Sequence, residues 1–135
     1  MSLRRTTNLG TIIINTSIIS KEVIKASTKV NENIFFATEK GKLLGSPKKV
    51  GSSELSANIL VDEKEGRFNL TLYIIMNFGS SIKKVTESIL DDLEESFKMM
   101  FPSQPGKITI KIVGVKSKKI AARDIEVIRE YEATR

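Results

Sequence analysis

Phe68-Asn69-Leu70-Thr71-Leu72-Tyr73-Ile74-Ile75-Met76-Asn77-Phe78-Gly79 decides the fold. Phe68, Leu70, Leu72, Ile74, Met76 and Phe78 fall on one side of an extended chain and Asn69, Thr71, Tyr73 and Asn77 on the other, the alternation of a half-buried antiparallel strand. Only Ile75 breaks the polar face. Gly79 ends the strand, and Ser80 or Ser81 caps a long helix in which Ile82, Val85, Ile89, Leu93, Phe97 and Met100 recur at three- or four-residue spacing. Glu87, Asp91, Glu94 and Glu95 take the opposite side of that helix. Pro102 and Pro105-Gly106 stop it, and Ile108, Ile110 and Ile112 alternate in a last core strand.

Upstream, the acidic turn Asp62-Glu63-Lys64-Glu65-Gly66 joins this strand to another extended run from Leu55 to Val61, which gives a hairpin. Residues 41–56, rich in glycine, serine and lysine around Pro47, are expected to be an exposed loop. Residues 33–38 and the β-branched Gly10-Thr11-Ile12-Ile13-Ile14 read as two further strands. Between them Asn15 caps a helix with Ile18, Ile19, Val23, Ala26 and Val30 as its core stripe and Lys21, Lys25 and Lys29 as a solvated row. Beyond Gly114, Ala121, Ile125, Ile128 and Tyr131 stand at helical spacing and predict a short terminal helix.

The expected architecture is a two-layer α+β domain: a mixed sheet with two main helices on one face, in the order β-α-β-β-β-α-β plus the terminal helix. Residues 1–8 are expected to be a flexible N-terminus, 9–116 the domain, and 117–135 a basic-to-acidic, helical arm.

A chain of 135 residues with 40% hydrophobic and 28% charged residues can bury one core without disulfides or a structural metal. It contains no cysteine and no histidine. That composition removes thiolate and imidazole ligands, the usual zinc sites and Ser-His-Asp or Cys-His catalysis. The acidic side chains of the long helix are expected to be hydrated, and Gly45-Ser46-Pro47-Lys48-Lys49-Val50-Gly51-Ser52 lacks the spacing of a phosphate-binding loop. The chain is therefore expected to be no enzyme and to need no cofactor or metal. No apolar run is long enough to span a bilayer, and Met1-Ser2-Leu3-Arg4-Arg5 leads into polar residues instead of a signal-peptide core. A cytoplasmic location is expected. Direct membrane insertion is not, because neither main helix combines a lysine face with exposed aromatics.

The formal charge of +6 is uneven, with Lys107, Lys111, Lys116, Lys118, Lys119 and Arg123 uninterrupted by any acid. Lys107 and Lys111 lie opposite Ile108, Ile110 and Ile112, on the side of the sheet that carries Tyr73. Tyr73, Lys107, Lys111, Lys116, Lys118 and Lys119 thus form a candidate surface for an anionic partner, against the plain alternative of a solvated lysine face. Ile125, Ile128 and Tyr131 form a candidate docking arm.

Gly10-Thr11-Ile12-Ile13-Ile14-Asn15, the block from Leu72 through Gly79-Ser80-Ser81-Ile82 with Val85, Ile89 and Leu93, and the closing Ile110, Ile112, Val113 and Val115 resemble the alkaline-shock, or envelope-stress-response, family found mainly in Gram-positive bacteria. The resemblance covers roughly residues 9–116. It implies a non-enzymatic protein of alkaline or cell-wall stress, prone to self-association and held near the cytoplasmic membrane by a small membrane-anchored partner. It carries over no catalytic residue. The alternative from the residues themselves is a small nucleic-acid-binding domain using the lysine-rich sheet face.

Overall fold

The computed structural model describes residues 2–7 and 10–133, with side-chain surroundings from Asn15 onward. Strand β1 (Ser2–Thr7) pairs antiparallel with β2 (Gly10–Asn15) in a two-stranded sheet of its own. The segment expected to be flexible is thus a strand over Ser2–Thr7, because β2 supplies its backbone with partners. Met1, Asn8, Leu9, Thr134 and Arg135 lie outside the described residues.

Asn15 accepts the Ser17 N–H at 2.8 Å and so starts helix α1 (Thr16–Ser27), as the sequence predicts. Ile19, Val23 and Ala26 are buried, whereas Ile18 points outward. After a 3₁₀ turn (Thr28–Val30) come β3 (Ile34–Ala37), β4 (Leu43–Gly45) and the short helix α2 (Ser52–Ser56). The expected loop therefore holds two small elements. The strand expected from Leu55 begins only at β5 (Leu60–Lys64), because Leu55 is the buried residue of α2. The Ser20 and Ser56 hydroxyls meet at 2.7 Å and tie α2 to α1.

β5 turns into β6 (Arg67–Asn77) through Glu65 and Gly66, at φ 55 and 77. That pair of left-handed residues makes the two-residue hairpin turn whose twist suits the flanking strands. Helix α3 (Ile82–Met100), capped by Ser81, crosses over to β7 (Gly106–Lys116), so β6 and β7 run parallel. The chain then reverses into β8 (Ile120–Tyr131), antiparallel to β7.

The main sheet has the order β4-β3-β6-β7-β8, and β5 also pairs with β6. Since β7 occupies one edge of β6 along its length, β3 and β5 share the other. Phe68, Leu70, Leu72, Ile74 and Met76 of β6 join Ile108, Ile110 and Ile112 of β7 in one core. Val85, Ile89, Leu93 and Phe97 of α3 and Ile19 and Val23 of α1 close it from the helix layer. The mixed α+β sheet and the alternation of β6 agree with the sequence reading, except that Tyr73 on the polar side is buried and that the strand ends one residue early. Phe78 lies beyond the strand and is 77% exposed, because Gly79 turns the chain at φ 87.

The terminal helix is a correction. Residues 120–131 form an edge strand, with Ile125 and Val127 packed against the core and Tyr131 buried in it. Strand pairing with β7 offers every inner backbone group of this segment a partner, whereas a helix would leave the β7 edge bare.

Candidate functional site

The sheet face away from the helices is where the sequence places an anion surface. It is not uniformly open. Ala37, Tyr73 and Ile75 form a second apolar cluster there, flanked by Phe35, Leu43 and Val113. Ile75, the residue that interrupts the polar alternation, is the centre of this cluster and fully buried. Tyr73 is only 4% exposed, and it lines the floor of an open groove together with Lys111. Burial, and then the charge of Glu39, push its phenol above the ordinary value.

The lysines separate into two groups. Lys107 stands opposite Glu130 and Lys111 opposite Glu126 in the β7–β8 register. Opposite residues of an antiparallel pair project on the same face, so these lysines alternate with carboxylates instead of forming an unbroken basic row. Arg67 also reaches Glu130, at 3.3 Å. Lys116, Lys118 and Lys119 lie at the other end of β7 and in the hairpin beyond it. The Lys116 ammonium sits 5.6 Å from the centre of the Phe35 ring, a cation–π distance, and Lys118 and Lys119 are exposed.

Ile125, Ile128 and Tyr131, expected to share one arm, are split by the strand. Tyr131 is a core residue beside Phe97, its phenol raised by burial against the opposing effect of Arg67. Ile125 is half-buried on the helix side. Ile128 is 52% exposed on the opposite side. Arg129, on the helix side, pairs with Asp91 and with Glu94 at 3.7 Å, and so fastens β8 to α3. An open groove of about 450 Å³ runs between α3 and β8, bounded by Ile82, Leu90, Val127 and Ile128. Among the described residues no strand pairs with the outer edge of β8.

Three carboxylates of α3 are paired with basic side chains, Asp91 and Glu94 sharing Arg129. Besides the Arg129 contacts, Asp92 meets Lys29 at 2.7 Å and Glu94 meets Lys98 at 3.1 Å. The hydrogen bond and charge of Asp92 raise the Lys29 pKa. A groove of about 380 Å³ between α1 and α3 is walled by Glu22, Lys25, Lys29, Asp92 and Glu95, with Met99 and Met100 at its end. Among the described residues no three carboxylates gather where they could hold a metal ion, and no helix is long and apolar enough to cross a membrane.

Sequence reading marks none of Phe78, Lys83, Lys84 and Ile120 as a surface residue. The glycine directly after Phe78 is the available signal, since a strand that stops there leaves its last side chain outside the sheet.

These features define a two-layer α+β domain whose distinguishing chemistry lies on its outer surfaces: a basic hairpin end and an unpaired edge strand. The chain belongs to the alkaline shock protein 23 family, described as having a cell envelope-related function, whose model matches residues 4–117. This is the family that the segment from Leu72 to Ile82 resembles. The match runs through β7 and ends before β8. Searches of curated proteins and of solved structures each returned no significant match.

Proposed function

We propose that this chain is a non-enzymatic interaction module of the cell-envelope stress response, working at the cytoplasmic side of the membrane. It assembles with copies of itself and with a small membrane-anchored protein. The observation that carries this reading is the outer edge of β8. An unpaired strand presents a ready row of N–H and C=O groups for strand addition, and the exposed Ile128 with the groove beside it offers an apolar anchor for alternate side chains. The family's envelope role supports the location.

The test is affinity purification from the native host under alkaline stress, with nuclease, beside light scattering of the purified chain. Recovery of a small membrane protein, and self-association lost in Ile128→Lys, are the expected results. Recovery only of ribosomal or RNA-binding proteins, removed by nuclease, would replace this reading with the nucleic-acid one.

A further inference from the structure

We propose that the end of the sheet where β7 turns into β8 binds the anionic surface of a lipid bilayer, with Phe78 as the apolar anchor and lysines around it. Three separate pieces of chain meet here. Asn77 and Lys116 are neighbours on β6 and β7, and the Phe78 N–H donates to the Lys116 carbonyl at 2.8 Å. The turn leading into α3 and the β7–β8 hairpin therefore leave the sheet at one place. Lys116 and Ile120 are partners across that hairpin, which the Ser117 N–H closes onto the Lys119 carbonyl at 3.0 Å.

Lys118, Lys119 and Lys84 are exposed, the last on the first turn of α3, six residues after Phe78, whereas Lys83 lines the α3–β8 groove. Ile120 is 42% exposed. The Phe78 ring is held outward by a braced turn: its own N–H is bonded to β7, and the Ser80 N–H bonds the Asn77 carbonyl at 3.1 Å. The carboxylates brought to this end are Glu32, whose main-chain carbonyl accepts from Asn77, and Glu87, one turn along α3. Lys84, Lys116, Lys118 and Lys119 thus outweigh them.

A protruding aromatic ring with exposed lysines on the adjoining hairpin and helix start fits a bilayer interface. The ring enters the boundary between headgroups and acyl chains, and lysine stems lie along it while their ammonium groups stay with the phosphates. Each such cation near an anionic leaflet contributes about 1 kcal/mol, about fivefold in affinity. Single-stranded nucleic acid is the poorer fit, since successive bases need successive stacking rings and Phe78 is the one exposed aromatic among the described residues. The expectation against direct membrane contact considered helices alone; here a turn, a hairpin and a helix start combine. The inference rests on the envelope reading for its setting but is independent of the β8 edge.

The experiment is cosedimentation of the full chain with vesicles of phosphatidylcholine, alone or mixed with phosphatidylglycerol. Binding to the mixed vesicles only, weakening as salt rises, is expected. Lys118→Glu/Lys119→Glu should lose about thirtyfold or more in affinity and Phe78→Ser about tenfold. Lys107→Glu/Lys111→Glu and Ile128→Lys should bind as the parent does. All these positions are on the surface, and thermal melts verify their folding. As a gain-of-signal readout, Phe78→Trp should show blue-shifted emission on mixed vesicles. Equal binding to both vesicle types, unchanged binding by the Lys118/Lys119 variant, or retention of polyuridine in place of vesicles would overturn the proposal. Because Ile128→Lys tests the edge separately, loss of either surface is distinguishable from loss of the other.

Discussion

The Tyr131 hydroxyl reaches over Gly106 and donates to the Phe68 carbonyl oxygen at 3.4 Å, so the last residue of β8 is pinned to the start of β6 across β7. The ring lies 6.0 Å from that of Phe97, which meets Phe68 edge-on at 5.1 Å, and Phe101 stacks on Phe68 at 4.8 Å. Four aromatic rings thus close this end of the core.

Gly106 is required by this arrangement. A methyl group there would run into the Phe68 carbonyl oxygen and lie 2.6 Å from the Tyr131 ring. Gly106→Ala is expected to cost about 1–3 kcal/mol or more, as forced overpacking does. Since the obstacle includes backbone, Tyr131→Ala should not rescue it. Urea unfolding of the single and double variants checks both points.

Phe97→Ala should cost about 3–5 kcal/mol, the usual loss for a buried aromatic residue. Phe101→Ala should cost less, because Phe101 is only half-buried. Equal losses in denaturant melts would contradict the assignment of Phe97 as the centre of the cluster.

Stability should fall in alkali. Burial raises the Tyr131 phenol above its ordinary 10.0. A folded-state value above the unfolded one means that the contribution is complete below pH 10.0 and drains away as pH rises beyond it. Tyr131→Phe should flatten part of that decline while losing no more than about 1 kcal/mol at neutral pH, given one long hydrogen bond. Tyr73 and Lys29, whose values are raised as well, act in the same direction. Melting temperatures measured from neutral pH into alkali provide the comparison.

Ile128→Lys should leave stability within about 0.5 kcal/mol, as surface changes usually do, and abolish self-association. Glu126→Lys, which turns the Lys111 pair into a like-charge one, should destabilise the fold by up to about 1 kcal/mol. The two effects together separate an edge used for contact from one that merely holds β8 in register.

The sheet and both main helices were legible because β6, β7 and α3 carry unbroken apolar periods. β8 was not. Along its second half the inward positions are Ile125, Val127, Arg129 and Tyr131, and Arg129 interrupts the period-two signal. Arg129 is tolerated inward because Asp91 and Glu94, far away in sequence, receive it. With Ile128 added on the outer face, the leftover apolar positions imitate a helix. The candidate surface suffered similarly. Lys107 and Lys111 look uncompensated along the chain, and only strand pairing brings Glu130 and Glu126 beside them. Residues 43–45 and 52–56 were missed because elements so short are set by tertiary contact, such as the burial of Leu55, more than by their own pattern.

The parallel pairing of β6 with β7 has a kinetic consequence. β5–β6 and β7–β8 are local hairpins that close quickly, whereas β6 and β7 meet only after the α3 crossover has brought distant residues together. Zipping the two hairpins along that seam is the expected slow step of refolding. Truncating Leu72 or Ile110 on the seam should then slow refolding, and truncating Ile125 on the outer strand should chiefly hasten unfolding, a contrast that a chevron series reads directly.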